Sequence, residues 1–186
     1  MEKEKRYEEF AYVLDYLSHG RPGTRPNYRA GALVQVVGEE FFTLLEATVR
    51  EGLILKPYDR VYVGKESREQ VTYIMGRISY DELTSSAKLE LPLVIEKIVV
   101  NREQWFINFF NTAQAITPRM HALELIPGIG KKYMWQIINE RERSPFKSFD
   151  DLQKRASIPS PAKLVTKRVL EEMSGESKYR LFTRAP

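Results

Sequence analysis

Leu125-Ile126-Pro127-Gly128-Ile129-Gly130-Lys131-Lys132 is a tight glycine turn between two short amphipathic segments, closed by paired lysines. A helix that begins at such a turn points unsatisfied N–H groups and the positive end of its dipole at whatever lies in front of it. A nucleic-acid phosphate fits that position. Glycine at 128 and 130 permits positive φ and lets an anion approach the backbone. The competing reading is that Pro-Gly-x-Gly serves only to turn the chain.

Helical signals surround the turn. Thr117-Pro118 reads as a helix start, the hydroxyl as N-cap and the proline at the first helical position, with the helix running to about Leu125. A second helix starts near Lys131 and carries Met134, Ile137 and Ile138 on one stripe, with Arg141 near its end. Ser144-Pro145-Phe146-Lys147 breaks it. Ser148 with Asp151 three residues later announces a third helix as a capping box, with Phe149 and Leu152 turned inward.

Further on the chain repeats itself. Ile158-Pro159-Ser160-Pro161-Ala162-Lys163 aligns with Ile126-Pro127-Gly128-Ile129-Gly130-Lys131 at an offset of 32 residues, and Val169-Leu170-Glu171-Glu172 aligns with Ile137-Ile138-Asn139-Glu140. Both glycines are missing from the second copy, and Pro161 has no N–H to donate. The second copy therefore reads as the structural half, with Lys163, Lys167 and Arg168 adding nonspecific charge. The basic tail from Lys178 to Arg184 is expected to fray.

Charge follows the same division. Residues 117–186 hold 14 Lys and Arg against 8 Asp and Glu, whereas residues 1–116 hold 15 against 17. The asymmetry points to a polyanion partner, against the simpler reading of a solvated, lysine-rich helical surface. There is no cysteine, which removes disulfides, thiolate metal sites and cysteine nucleophiles, and only His19 and His121 supply imidazole. No metal and no cofactor are expected. The charged N-terminus lacks an apolar signal core, and no apolar run is long enough to cross a bilayer, so the expectation is a cytoplasmic protein with no membrane partner.

The first half reads as strands. Tyr7 to Leu17 fits either period, and its aromatic and β-branched density favours a strand. Ala32 to Val37 and Phe41 to Val49 are β-rich runs separated by Gly38-Glu39-Glu40, and Arg60 to Val63 follows the turn Lys56-Pro57-Tyr58-Asp59. Short strands with short turns suggest a small, partly closed, OB-like β-barrel over residues 1–78. Between the first two strands, Arg21, Arg25, Tyr28 and Arg29 lie in a Pro- and Gly-rich loop. They could lay guanidinium groups on phosphate and stack a ring on a base, or simply keep the loop solvated.

From Glu66 the pattern turns helical, with Val71, Ile74 and Met75 at spacings of three and four up to Arg77. Ser85 to Val100 continues it, interrupted by Pro92, which should start or kink a helix. Asn101 with Gln104 resembles a capping box that opens an aromatic helix over Arg102 to Asn111. Its Trp105, Phe106, Phe109 and Phe110 are expected to pack rather than to bind a ligand. The expected architecture is thus α+β: the barrel, a helical connector over 79–116, and an all-α domain over 117–186.

The segment from Thr117 to about Met173 resembles a helix-hairpin-helix pair, a nucleic-acid-binding unit that reads no sequence and occurs in repair, recombination and processing proteins. The Ile126-to-Lys132 turn carries the resemblance, and Pro145-Phe146-Lys147-Ser148-Phe149-Asp150-Asp151-Leu152 resembles the continuation of non-catalytic members. In its order of barrel, connector and hairpin pair, the whole chain resembles an archaeal family of uncharacterised proteins regarded as RNA-binding. The resemblance implies a phosphate site along Pro127-Gly128-Ile129-Gly130, with contacts at the backbone N–H groups around Gly128, Gly130 and Lys132 and with Lys131 and Lys132 as side-chain donors.

Three functions compete. The first is a nucleic-acid-binding protein without enzymatic activity, RNA before DNA. The second is a scaffold or accessory protein of a translation, transcription or ribonucleoprotein complex. The third follows from a further resemblance: DNA repair glycosylases with AP-lyase activity carry a Schiff-base lysine at the position of Lys132 and an acid at a distance that reaches Asp150. Asp150, however, stands in a helix start, where a carboxylate is expected from the dipole alone.

Overall fold

The computed structural model describes residues 7–21, 31–175 and 177–185, and the chain divides into two compact units. One comprises Met1–Val94 and Met173–Pro186, the other Ile95–Glu172.

The first unit holds a curled, five-stranded antiparallel sheet: β1 (Phe10–Leu17), β2 (Leu33–Gly38), β3 (Leu44–Val49), β4 (Arg60–Tyr62) and β5 (Val71–Arg77), in the order β4-β1-β2-β3-β5. Alternation places Ala11 and Val13, Val34 and Val36, and Ala47 and Val49 in one buried apolar cluster with Val61 and Val71. The central strands are buried on their other face too, through Tyr12, Leu14 and Val37. Gln35 on that face is buried but satisfied: it donates to the Glu46 carboxylate and to the Glu82 carbonyl, and accepts from the Thr84 N–H. Thr84 donates in turn to Asp15 at 2.6 Å, and its Oγ1 caps α1 (Ser85–Asn101) by accepting the Ala87 N–H. Pro92 lies inside α1 rather than at its start, and the division between the units falls within this helix.

The helix expected over Glu66 to Arg77 is strand β5 instead. Its pairing with β3 shifts register twice, so that Thr72 and Met75 are extra residues. The first bulge puts Val71 and Ile74, three apart, against the same cluster, a spacing that in sequence alone imitates a helix. The tail also departs from expectation. Phe182 is buried, the Arg184 guanidinium lies 3.5 Å from the Phe41 ring centre, and Arg77 donates to the Ala185 carbonyl, so the tail is anchored on the first unit rather than frayed.

In the second unit α2 (Glu103–Thr112) is followed by a two-stranded hairpin, β6 (Ala115–Thr117) and β7 (Met120–His121), and a 3-10 turn over Ala122–Leu125. Then come α3 (Lys131–Arg143), α4 (Phe149–Ala156) and α5 (Pro161–Ser174). The helix expected from Thr117 is therefore a β-turn and a 3-10 turn, and the C-terminal half is not all-α. Thr117 Oγ1 accepts the Arg119 N–H, so the Thr-Pro pair starts a turn, not a helix. Asn101 ends α1, and Arg102 is the N-cap of α2 with no side-chain cap bond, so the expected Asn101–Gln104 box does not form.

Gln104, Glu103 and Asn111 instead hold the segment between α3 and α4. Gln104 donates to the Lys147 carbonyl, Glu103 accepts the Phe149 N–H at 2.6 Å, and Asn111 both donates to and accepts from the Phe146 backbone. Phe106 and Phe110 are buried as expected, whereas Trp105 is 45% exposed. Ser148 caps α4 by accepting the Asp151 N–H, while the Asp151 carboxylate accepts the Lys147 N–H, one residue earlier than a capping box requires.

Candidate functional site

Ile126 and Ile129 are the apolar pins of the glycine turn, both buried, and the Ile129 N–H donates to the Ile126 carbonyl at 3.0 Å. Between and beyond them Gly128 and Gly130 face solvent. Their roles differ. Gly128 takes φ +88°, a conformation that side chains disfavour, whereas Gly130 has φ −90° and ψ −169° and is the N-cap of α3. A glycine N-cap offers no side-chain acceptor, and α3 has no acidic residue in its first turn. The N–H groups that begin α3 thus receive no side-chain cap and stay available to an external acceptor.

Lys131 and Lys132 open the helix and are exposed. Lys131 is partly committed: its ammonium lies 3.0 Å from Glu124. Glu124 also accepts the His121 N–H at 2.8 Å, and these two donors, the backbone one foremost, hold its carboxyl below the usual carboxylate range. Lys132 makes no ion pair among the described residues. His121 closes the 3-10 turn from the other side, its Nδ1 accepting the Leu123 N–H. Burial, reinforced by the Arg141 charge, holds its pKa below the ordinary histidine value.

The second copy follows the first in backbone as well as in sequence. Ser160, the counterpart of Gly128, also takes a positive φ, 46°. Ile158 is buried like Ile126, and Val169 like Ile137. But α5 starts at Pro161, which has no N–H, and where the first copy has Lys132 the second has Leu164, whose side chain packs over Gly128. Arg168, buried on α5, donates to the Leu125 carbonyl just before the turn and to Glu172. One copy thus buttresses the other.

Of residues 127–132, Gly128, Gly130, Lys131 and Lys132 are exposed, Pro127 is half-buried and Ile129 is buried. Lys163 and Lys167 are exposed one turn apart on α5. Arg21 is bound within the first unit, its guanidinium 2.7 Å from the buried Glu46 carboxylate. Arg25, Tyr28 and Arg29 lie outside the described residues. Asp150 is exposed in an ion pair with Lys154 at 2.7 Å. Sequence reasoning passed over Glu124 and Leu164, because what they touch is known only once the chain is folded, and the nonspecific charge expected of Arg168 is not what the fold makes of it: its guanidinium is buried against the Leu125 carbonyl and Glu172. It also passed over Trp135, whose place off the apolar stripe of α3 was readable from the 3.6-residue period.

Among the described residues no group of three or more His, Cys, Asp or Glu is placed to hold a metal, and no helix is long and apolar enough to cross a membrane. Fold and site thus define a mixed α+β chain, a curled antiparallel sheet plus five helices, bearing an uncapped, lysine-flanked glycine turn. The chain belongs to the family described as "Protein of unknown function (DUF655)", whose model matches residues 7–184. It is 39% identical over 184 residues to the uncharacterized protein MJ0038 of Methanocaldococcus jannaschii, covering 98% of this chain and 82% of that one. It is also similar to the crystal structure of Af1531 from Archaeoglobus fulgidus, with TM-score 0.88 and 48% identity over 95% of this chain and 100% of that one.

Proposed function

We propose that this chain is a nucleic-acid-binding protein without catalytic activity that grips the phosphate backbone at the glycine turn, with the backbone N–H groups around Gly128, Gly130 and Lys132 as donors and Lys131 and Lys132 supplying charge. The observation that carries the reading is the start of α3: a helix N-terminus with a glycine N-cap, no side-chain cap and no first-turn acid, followed by two exposed lysines. On this reading residues 117–173 work as a helix-hairpin-helix pair with one functional copy, the 3-10 turn standing for the first helix. The curled sheet serves as the OB-like half. Contacts of this kind position the ligand without reading its sequence. RNA before DNA, and a cytoplasmic site of action, follow from the sequence and the family resemblance drawn from it.

The test is salt dependence. Replacing Lys131 and Lys132 by alanine should weaken binding to RNA and duplex DNA and lower the log–log salt slope by about 0.7 to 0.9 for each phosphate that is no longer neutralised. Unchanged affinity for both ligands would remove the phosphate grip and leave the scaffold reading.

A further inference from the structure

The chain has two tryptophans, both in the second unit, and their surroundings differ. Trp105 meets the Phe106 ring edge-on with centroids 4.9 Å apart and has the Arg102 guanidinium 5.0 Å from its ring. Trp135 is 55% exposed and has neither a ring nor a cation partner among the described residues. It stands on α3, three residues after Lys132 and four after Lys131, with Asn139 exposed one turn further on. Met134 and Ile137 are the buried residues of the helix, and Trp135 lies on the flank of their stripe, beside half-buried Ile138.

Helix geometry gives this placement a direction. Side chains on an α-helix lean toward its N-terminus, so a residue covers the turn before its own Cα. The indole of Trp135 accordingly belongs to the surface of the first turn, where Lys131, Lys132 and the uncapped N–H groups are. From Lys131 to Trp135 the helix rises four residues, about 6 Å, so that an exposed ring stands within the span of one nucleotide from the uncapped helix end. In a duplex the bases are stacked on each other and offer no free face to such a ring.

Resting on the phosphate-grip reading above, we propose that Trp135 is a specificity-determining residue that stacks on an unpaired base whose phosphate is held at the start of α3. The substrate class is single-stranded or looped nucleic acid rather than uninterrupted duplex. The base identity is open, because every base has a π-face.

The experiment measures binding of a short oligouridine, a short oligothymidine and a self-complementary duplex of the same length to wild type, Trp135→Ala, Trp135→Phe and the Lys131→Ala/Lys132→Ala double variant. Trp135→Ala should weaken both single strands by about 5- to 150-fold and leave the duplex unchanged, with Trp135→Phe recovering part of the loss. A larger loss on one single strand assigns RNA or DNA. As a check free of any change at 135, the fluorescence of a Trp105→Phe variant, which reports on Trp135 alone, should be quenched by the single strands and not by the duplex.

Equal loss on all ligands, or none, overturns the stacking role. If the lysine variant alone loses affinity, the phosphate grip stands and the stacking role falls. If Trp135→Ala weakens single strands while the lysine variant does not, the grip falls instead. A wild type that binds none of the three removes both.

Discussion

Leu164 lies against Gly128, with its Cδ2 only 3.3 Å from the place a Cβ on residue 128 would occupy. Leu164 is the counterpart of Lys132 at the 32-residue offset. The position that offers an ammonium in one copy therefore supplies, in the other, the packing that supports the first copy's turn. The asymmetry of the pair is thus a division of labour, and the two glycines of the turn should respond differently to substitution.

Gly128→Ala should destabilise the second unit by about 1–2 kcal/mol from its positive φ alone, and more if Leu164 must move. Gly130→Ala meets no atom within 4 Å of the new Cβ and keeps an ordinary φ. Its stability should stay within about 1 kcal/mol of wild type, the loss of a good N-cap residue opposing the gain from a less flexible unfolded chain. Its nucleic-acid affinity should nevertheless fall, because the methyl group occupies the approach to the α3 N–H groups. Urea unfolding and a binding titration on both variants check the contrast. Equal stability losses would contradict the different backbone roles.

His121 makes stability depend on pH. Its folded pKa is held below the ordinary 6.5, by burial first and then by Arg141, against the pull of Glu124. Between the folded value and 6.5 the unfolded chain binds a proton that the folded chain refuses, so stability rises with pH across this window. The contribution is complete above 6.5 and is lost as pH falls toward the folded value. Protonation would also remove the Nδ1 acceptor from the Leu123 N–H. Urea midpoints followed by tryptophan fluorescence should decline below pH 6.5 in wild type, and the decline should flatten in His121→Asn, whose amide oxygen can still cap the turn.

Glu8 organises the turn between β2 and β3. It is 3% exposed and accepts the N–H groups of Glu40, Phe41 and Thr43 at 2.9, 2.9 and 3.1 Å, around the buried Phe42 at φ 57°. Glu8→Ala leaves these donors unpaired and should cost about 1–3 kcal/mol. Glu8→Gln should cost less. Gly38→Ala should cost a similar amount to Glu8→Ala, because its Cβ would overlap the Glu8 side chain. Calorimetry on the three variants orders them, and a neutral Glu8→Ala would contradict the assignment.

Borohydride treatment with an abasic duplex is expected to leave no adduct. Lys132 is open to solvent and lacks the apolar surroundings that desolvate and activate an amine nucleophile, and Asp150 is engaged by Lys154 on the surface. A covalent product mapping to Lys132 would replace the binding reading with the lyase one.

What could be read from the chain follows the range of the signals. The start of α3 at the glycine turn, the break at Ser144-Pro145, the Ser148 cap, strands β1 to β4 and the 32-residue echo were all present in stretches of a few residues. Each rests on a local cause: missing Cβ atoms, a missing N–H, a hydroxyl within reach of a backbone donor, or a two-residue alternation. Trp135 belonged to the same class and was readable as a ring at the flank of the buried stripe.

The remainder depended on partners far along the chain. Val71, Ile74 and Met75 have a spacing that a helix and a bulged strand share, and only the ladder with β3 decides between them. Thr117-Pro118 can open a helix or a β-turn, and the pairing of Ala115 with His121 selects the turn. Phe182 turns a basic tail into an anchored segment by its burial. By itself the sequence determined the glycine turn and its lysines, because turn chemistry acts over a few bonds. Tertiary structure alone decided that Gly128 rests under Leu164, that Glu124 holds Lys131, and that Lys132 is left open, because packing and ion pairing depend on distances in space.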